Sequence, residues 1–309
     1  MQSHRDAGSG TVLKSQAHLK VFAAALALGG LLLAFPKAQL AVLAGLAALA
    51  MLPVLVVALY VVAGARPPGD DAAASPPARL GSPPGLAICA VLAVCLFLLW
   101  PDLDIGIARS LYSGANRFAG QTALGGLGRW LGYTLPFLVL AWCVFAAFRR
   151  RGAGNIVTVL KQPDVLFLSL GMALGPGLIV NLGMKDHLHR PRPAHIAEFG
   201  GGREFRPFYR FDGACPKNCS FPSGEAAEAF WMLAPASLAP LPWRGPAIAG
   251  AVVFGGAVGL LRMAFGGHFL SDVVFAGLIM WGLLMALRWL IYAGGFAAVS
   301  RRFDRLRKP

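Results

Sequence analysis

Eight apolar stretches, nearly free of charge, leave this chain few ways to fold. They lie at about residues 19–35, 40–65, 86–100, 130–148, 165–182, 223–241, 247–261 and 271–292. Crossing hydrocarbon takes roughly 20 consecutive apolar residues in a helix, and a helix satisfies all of its backbone polar groups within one segment. The composition agrees: of 309 residues, 57% are hydrophobic and only 14% charged, against roughly 25% charged in a soluble domain. The expected fold class is therefore an all-α membrane protein. The first apolar run ends at Pro36-Lys37 with no small-residue cleavage site, and a second follows at once, so it reads as an anchor and not as a cleaved signal.

Breaks in this pattern give the organisation. Residues 1–16 are polar, and with the first two spans they form an N-terminal unit, 1–65. Residues 66–85, rich in Pro, Gly, Ala and Asp, read as a flexible linker. Residues 86–292 hold six spans, and 293–309 form a basic tail. Between the third and fourth spans, residues 102–129 mix Ile105, Ile107, Leu111 and Phe118 with Arg109 and Arg117, a pattern expected of an amphipathic helix at the membrane surface.

The formal net charge is +14, from 28 basic and 14 acidic residues. The basic residues lie between spans and not on one polar face, which argues against nucleic acid as a partner. Basic loops mark the cytoplasmic side. Lys14, Lys20, Arg66, Arg79, Arg149, Arg150, Arg151, Arg244 and the tail basic residues at 301–308 all fall on one side of an eight-span chain. Both termini are then cytoplasmic.

Three clusters fall together on the opposite side. The first runs from Lys185 to Pro193 and contains Arg190 and Arg192; the second is Ser220-Phe221-Pro222-Ser223-Gly224-Glu225; the third holds Arg262, His268 and Asp272. Charge beside apolar helices is costly and marks function by default. Arg192 and Arg262 supply forks that fit phosphate oxygens, and Lys185 adds a point charge. Ser223 and Gly224 open a helix whose free N–H groups favour an anion. His268 and Asp272, four residues apart, share a face if their helix has begun, so the carboxylate can fix the imidazole as a nucleophile. His187, His189 and His195 have no second ligand set at metal-binding spacing. Arg190, Arg203, Arg206 and Arg210 are either solvated loop charges or holders of a second phosphate or a sugar. Phe199, Phe205, Phe208, Tyr209 and Phe211, interleaved with them, are suited to the lipid interface. Cys215 and Cys219 lie in the same extracytoplasmic loop, where a disulfide persists.

These clusters resemble the type 2 phosphatidic acid phosphatase superfamily. Lys185 through Arg192-Pro193 matches its Lys-x6-Arg-Pro motif. Pro222-Ser223-Gly224 matches Pro-Ser-Gly-His save for Glu225 in the last place, and Arg262, His268 and Asp272 match the third motif, with Leu261 where Ser is usual. The resemblance covers roughly residues 86–292 and implies a six-span core, a metal-independent and cofactor-free phosphatase, and a lipid phosphate as substrate. It further implies His268 as the residue that becomes phosphohistidine, Asp272 as its orienting group, and Glu225 as the acid for the leaving oxygen. Lys185, Arg192, Ser223, Gly224 and Arg262 would hold the phosphate. A Glu in that role must be protonated, which burial favours and neighbouring cations oppose. The Ser-Gly-Glu variation, with Glu198-Phe199-Gly200 and Asn218-Cys219-Ser220, is similar to bacterial lipid A 4′-phosphatases. That subgroup implies a multi-pass inner-membrane protein whose site faces the periplasm. Undecaprenyl pyrophosphate, phosphatidylglycerophosphate and phosphatidic acid are alternative substrates, a phosphotransferase is an alternative enzyme, and a catalytically silent lipid-binding protein is the alternative outside enzymes.

The charge pattern is directly testable. A reporter fused after Pro309 should be cytoplasmic, and one inserted near Lys217 should be extracytoplasmic. The reverse result would invert the topology and move the three clusters to the cytoplasmic face.

Overall fold

A computed structural model of the chain describes residues 82–150, 159–160 and 162–292. The expected spans at 19–35 and 40–65, residues 66–81 of the linker and the 293–309 tail lie outside the described residues. The first described helix, α1 (Pro83–Leu99), has its start written in sequence. The hydroxyl of Ser82 accepts from the Gly85 N–H at 3.2 Å, and Pro83 and Pro84 occupy positions that need no donor. Most of α1 faces outward: Ile88, Val91, Leu92 and Leu99 are exposed, and only Ala93 and Phe97 are buried. A bare apolar surface of this kind suits lipid. Pro101 follows the helix, and the chain bends by 84° into α2 (Asp102–Ser110).

The single amphipathic helix expected over 102–129 does not form. It gives way after nine residues to a hairpin of β1 (Tyr112–Gly114) and β2 (Arg117–Phe118). The cause is the turn: Ala115 and Asn116 both take left-handed angles, φ 48° and 58°, as a tight hairpin turn requires. The hairpin is pinned by aromatics. Tyr112 and Phe118 pack against Phe199, one ring tilted and one edge-on, at ring-centre distances of 5.2 and 5.5 Å. Thr122 then caps the next helix, α3 (Ala123–Arg150), accepting from the Gly125 N–H at 3.0 Å. Arg129 is thereby carried on a membrane helix, not at the end of a surface one.

Next comes α4 (Pro163–Met172), which runs on into a wider π-type winding over Ala173–Met184. Pro176 lies within that winding; it lacks an N–H and crowds the preceding turn, so the regular ladder cannot be kept. The span expected over 223–241 is two short helices, α5 (Gly224–Phe230) and α6 (Leu233–Ser237). Pro235 stands four residues beyond Trp231, where its ring displaces that carbonyl from an α-helical bond. Around this break Ala226, Ala227, Ala229, Trp231, Met232, Ala234 and Ala236 are all fully buried. The Trp231 indole donates to the Leu168 carbonyl at 3.0 Å. The segment is the centre of the packing, and small side chains let the outer helices approach it. Finally α7 (Leu241–Ala264) and α8 (Leu270–Tyr292) pack against it.

Among the described residues four helices are long and apolar enough to cross a membrane: Ala123–Arg149, Pro163–Met184, Pro242–Ala264 and Leu270–Tyr292; the bent α1–α2 pair makes five. The protein is an α-helical, multi-pass membrane protein. The aromatic loop is more buried than expected. Phe199 is in the core, Phe205 packs on Phe269, and Phe208 packs on Phe97, Phe221 and Phe275. Of the five aromatics expected at the interface, Tyr209 and Phe211 are exposed.

Two adjacent glycines test the packing of α7 on the centre. A Cβ at Gly255 would lie 2.3 Å from the Phe230 ring, whereas one at Gly256 meets nothing within 4 Å. Gly256→Ala should be neutral or stabilising, since Ala favours a helix by about 1 kcal/mol over Gly. Gly255→Ala should lose about 1–3 kcal/mol to overpacking. Thermal unfolding in detergent compares the two, and equal melting temperatures would contradict the packing described.

Candidate active site

The three sequence clusters converge at one end of the bundle. Lys185 follows the π-type winding, at its end nearest α5. A Cβ at Gly224 would sit 3.0 Å from the Lys185 ammonium and 2.5 Å from Asn181 Oδ1, so glycine is what allows them to approach the start of α5. Burial, then the charge of Arg192, hold the Lys185 ammonium below its ordinary value. Arg192 is anchored by Asn218: its guanidinium donates to the Asn218 carbonyl at 2.9 Å and to Oδ1 at 2.7 Å. Asn218 takes a left-handed angle inside the loop closed by the Cys215–Cys219 disulfide, and its N–H donates to Asp186 at 2.7 Å. Arg262 lies in the last turn of α7, almost fully buried, and Gly267 leaves room for its guanidinium, which a Cβ there would approach to 2.6 Å.

His268 is buried just before α8. The expectation that His268 and Asp272 share a helix face is corrected by the geometry, although the two side chains do meet. Because α8 begins at Leu270, His268 is not yet helical, and Asp272 Oδ2 is 3.6 Å from Nδ1. The hydrogen bond comes instead from the Ser220 carbonyl, which accepts from Nδ1 at 2.7 Å. With Nδ1 donating, the Nε2 lone pair is left free. Burial pushes the imidazole down to about 4, against the pull of Asp272, so it is neutral at neutral pH.

Asp272 belongs to a buried network that sequence reasoning missed. Arg190 donates to Asp272 Oδ1, to the Ser271 hydroxyl at 2.7 Å, to Asp104 Oδ2 at 2.7 Å and to the Arg206 carbonyl at 2.8 Å. Asp104, from α2, also accepts from the Ser271 N–H at 2.9 Å. Asp272 Oδ2 accepts from the Phe269 N–H at 2.7 Å and from the Ser220 hydroxyl. Arg190 is thus neither a solvated loop charge nor a phosphate holder. Arg206 pairs with Glu204 at 2.8 Å, and Arg210 pairs with Asp212. The signal for Asp104 was available: an acid just beyond a Trp-Pro helix stop is unusual beside a membrane span.

Ser223 starts α5 as expected, but its hydroxyl is fully buried and caps the helix, accepting from the Ala226 N–H at 3.3 Å. Its own N–H donates to the Asp272 carbonyl at 3.1 Å. Glu225, in the first turn, meets two guanidiniums. Arg129 donates to it from Nη2 at 2.7 Å and from Nε at 3.1 Å, and Arg262 Nε lies 3.2 Å from Oε2. Arg129 was the other residue missed, because 102–129 read as one surface helix. It lines an open pocket of about 390 Å³ together with Arg192, His195, Lys217, Asn218 and Arg262. Among the described residues no three His, Cys, Asp or Glu side chains are placed to hold a metal ion.

The chain has relatives in sequence. A protein named lipid A 4′-phosphatase from Francisella tularensis subsp. novicida (strain U112) is 35% identical over 216 residues, 68% of this chain and 93% of that protein. Proteins of the same name from Rhizobium leguminosarum and Rhizobium etli are 32% and 31% identical over 218 residues, each covering 64% of this chain and 91% and 83% of themselves. No solved structure matches the chain. The PAP2 superfamily model matches residues 164–295, which include Lys185, Arg192, Glu225, Arg262, His268 and Asp272. A family match over the three clusters, and a 35% identical relative covered for 93% of its length, place this chain in the PAP2 superfamily.

Proposed function

We propose that this protein is a membrane lipid phosphatase that removes a phosphomonoester from lipid A, through a phosphohistidine. The observation that carries the mechanism is His268: neutral, held at Nδ1 by the Ser220 carbonyl, and within the field of the Arg262 guanidinium and the Lys185 ammonium. The relatives named lipid A 4′-phosphatase support the substrate. The finer architecture is part of the same reading. The broken α5–α6 segment completes a six-span core over 86–292, preceded by an N-terminal pair of spans and the 66–85 linker and followed by a basic tail. The chain sits in a bacterial inner membrane with its site facing the periplasm.

Lys185, Arg192 and Arg262 take the phosphate oxygens and neutralise charge that grows in the transition state. Gly224, at the helix start, leaves room for the Lys185 ammonium beside the same group, and Ser223 holds that start through its cap. His268 Nε2 then attacks phosphorus in line as the bond to the lipid oxygen breaks, and that oxygen takes the proton of Glu225. Water next attacks the phosphohistidine and gives its proton to Glu225, which releases phosphate and restores the imidazole. Asp272 acts at one remove, by holding Ser220 and the loop that carries His268. No step calls for a metal, because the cations are side chains.

In membranes of cells making this protein, lipid mass spectrometry should show lipid A lacking one phosphate. His268→Ala should abolish phosphate release, and rapid quenching with labelled substrate should trap an acid-labile, base-stable phosphoryl group in the wild type alone. Full turnover in His268→Ala would remove the mechanism. Glu225→Gln should lower turnover by roughly 10² to 10⁴, the range for one general acid. Unchanged lipid A alongside phosphate release from another lipid phosphate would move the assignment to that lipid.

A further inference from the structure

The acid role assigned to Glu225 meets a difficulty in the geometry: its carboxylate is held by two guanidiniums, which favour the ionised form. Arg129 grips it with a fork, Nη2 at 2.7 Å and Nε at 3.1 Å. The Arg262 Nε–H is buried and lies 3.2 Å from Oε2 without the alignment a hydrogen bond needs. Arg129 keeps 45% of its side chain exposed and shares the pocket wall with Arg192, Arg262 and Lys217. A carboxylate and a phosphate present the same pair of oxygens to such a fork.

We infer that Arg129 is a further phosphate-binding residue, and that Glu225 occupies its fork, beside Arg262, until a phosphate displaces it. The inference rests on the phosphatase reading of the site. The exchange has a chemical consequence. When the two guanidiniums turn to phosphate, Glu225 is left in a largely buried position without the cations that kept it ionised, and it can then take up the proton that a general acid must carry. Phosphate binding thus prepares the acid, and until phosphate arrives Glu225 stays ionised in the Arg129 fork.

The test is a double-mutant cycle on the full chain in detergent micelles, with equilibrium binding of inorganic phosphate as the readout. Glu225→Gln removes the competing charge and should bind phosphate several-fold more tightly than the wild type. Arg129→Ala should bind about tenfold more weakly, the loss expected for one charge-assisted contact. The decisive comparison is Glu225→Gln with the double variant Arg129→Ala/Glu225→Gln. Direct contact predicts that the double variant binds about tenfold more weakly than Glu225→Gln; equal affinities would mean that Arg129 acts only by holding Glu225, and the inference fails. A Glu225→Gln protein that binds no better than the wild type sinks the displacement. A wild type that binds no phosphate at all overturns the underlying site reading as well, and that failure is distinct from equal affinities in the two variants. Lipid phosphate turnover gives a second readout: Arg129→Lys should restore part of the binding while leaving KM raised, because an ammonium carries the charge without the fork.

Discussion

One buried cation holds the reacting end of this bundle together. Arg190 bonds to carboxylates from two elements far apart in sequence, Asp104 on α2 and Asp272 on α8, and lies over the Phe269 ring at 4.4 Å. Removing one member of such a network leaves an uncompensated buried charge, which costs about 3–5 kcal/mol. The 84° bend after α1 exists in the service of this contact, since it turns Asp104 inward. Asp272 in turn fixes the Ser220 hydroxyl, and the Ser220 carbonyl fixes His268. The position of His268 is therefore set by a chain of contacts that begins on α2, outside the three sequence clusters.

Cations play two separate parts at this end of the protein, and burial tells them apart. Arg190 is fully enclosed and has carboxylate partners, so it serves structure. Arg129, Arg192 and Lys217 border the open pocket, where they face solvent and not buried carboxylates. Arg262 belongs to both classes: it is nearly buried, yet it reaches the pocket and touches Glu225. Because several guanidiniums face one cavity, their mutual repulsion is an energetic cost that an anion relieves. Glu225 supplies that anion from within the chain.

Much of this was legible in the sequence. The long spans at 130–148, 165–182, 247–261 and 271–292 follow from continuous apolar runs, and the structure extends each by a few residues where Thr122, Pro163 or Leu241 offers a start. Lys185, Arg192, Glu225, Arg262 and His268 were visible because charge is conspicuous beside apolar helices. Three things were hidden for definite reasons. The hairpin at 112–118 depends on two left-handed residues, one of them alanine, which composition does not announce. The break in 223–241 depends on a proline whose effect is indistinguishable in sequence from the tolerated Pro136 within α3. Arg129, Arg190 and Asp104 have partners 96, 82 and 86 residues away, and no local pattern specifies such pairings.

The central α5–α6 segment touches neither lipid nor water along most of its length. Lipid meets α1 and α3 first, where Ile88, Leu92, Leu124, Trp130 and Leu138 are exposed. Membranes differ in thickness, and helices accommodate the mismatch by tilting. Ser223 and Glu225 lie instead at the start of an inner segment whose side chains are enclosed by neighbouring helices. A swelling or thinning of the bilayer that tilted the outer helices would reach Ser223 and Glu225 only through the layer of side chains around this segment.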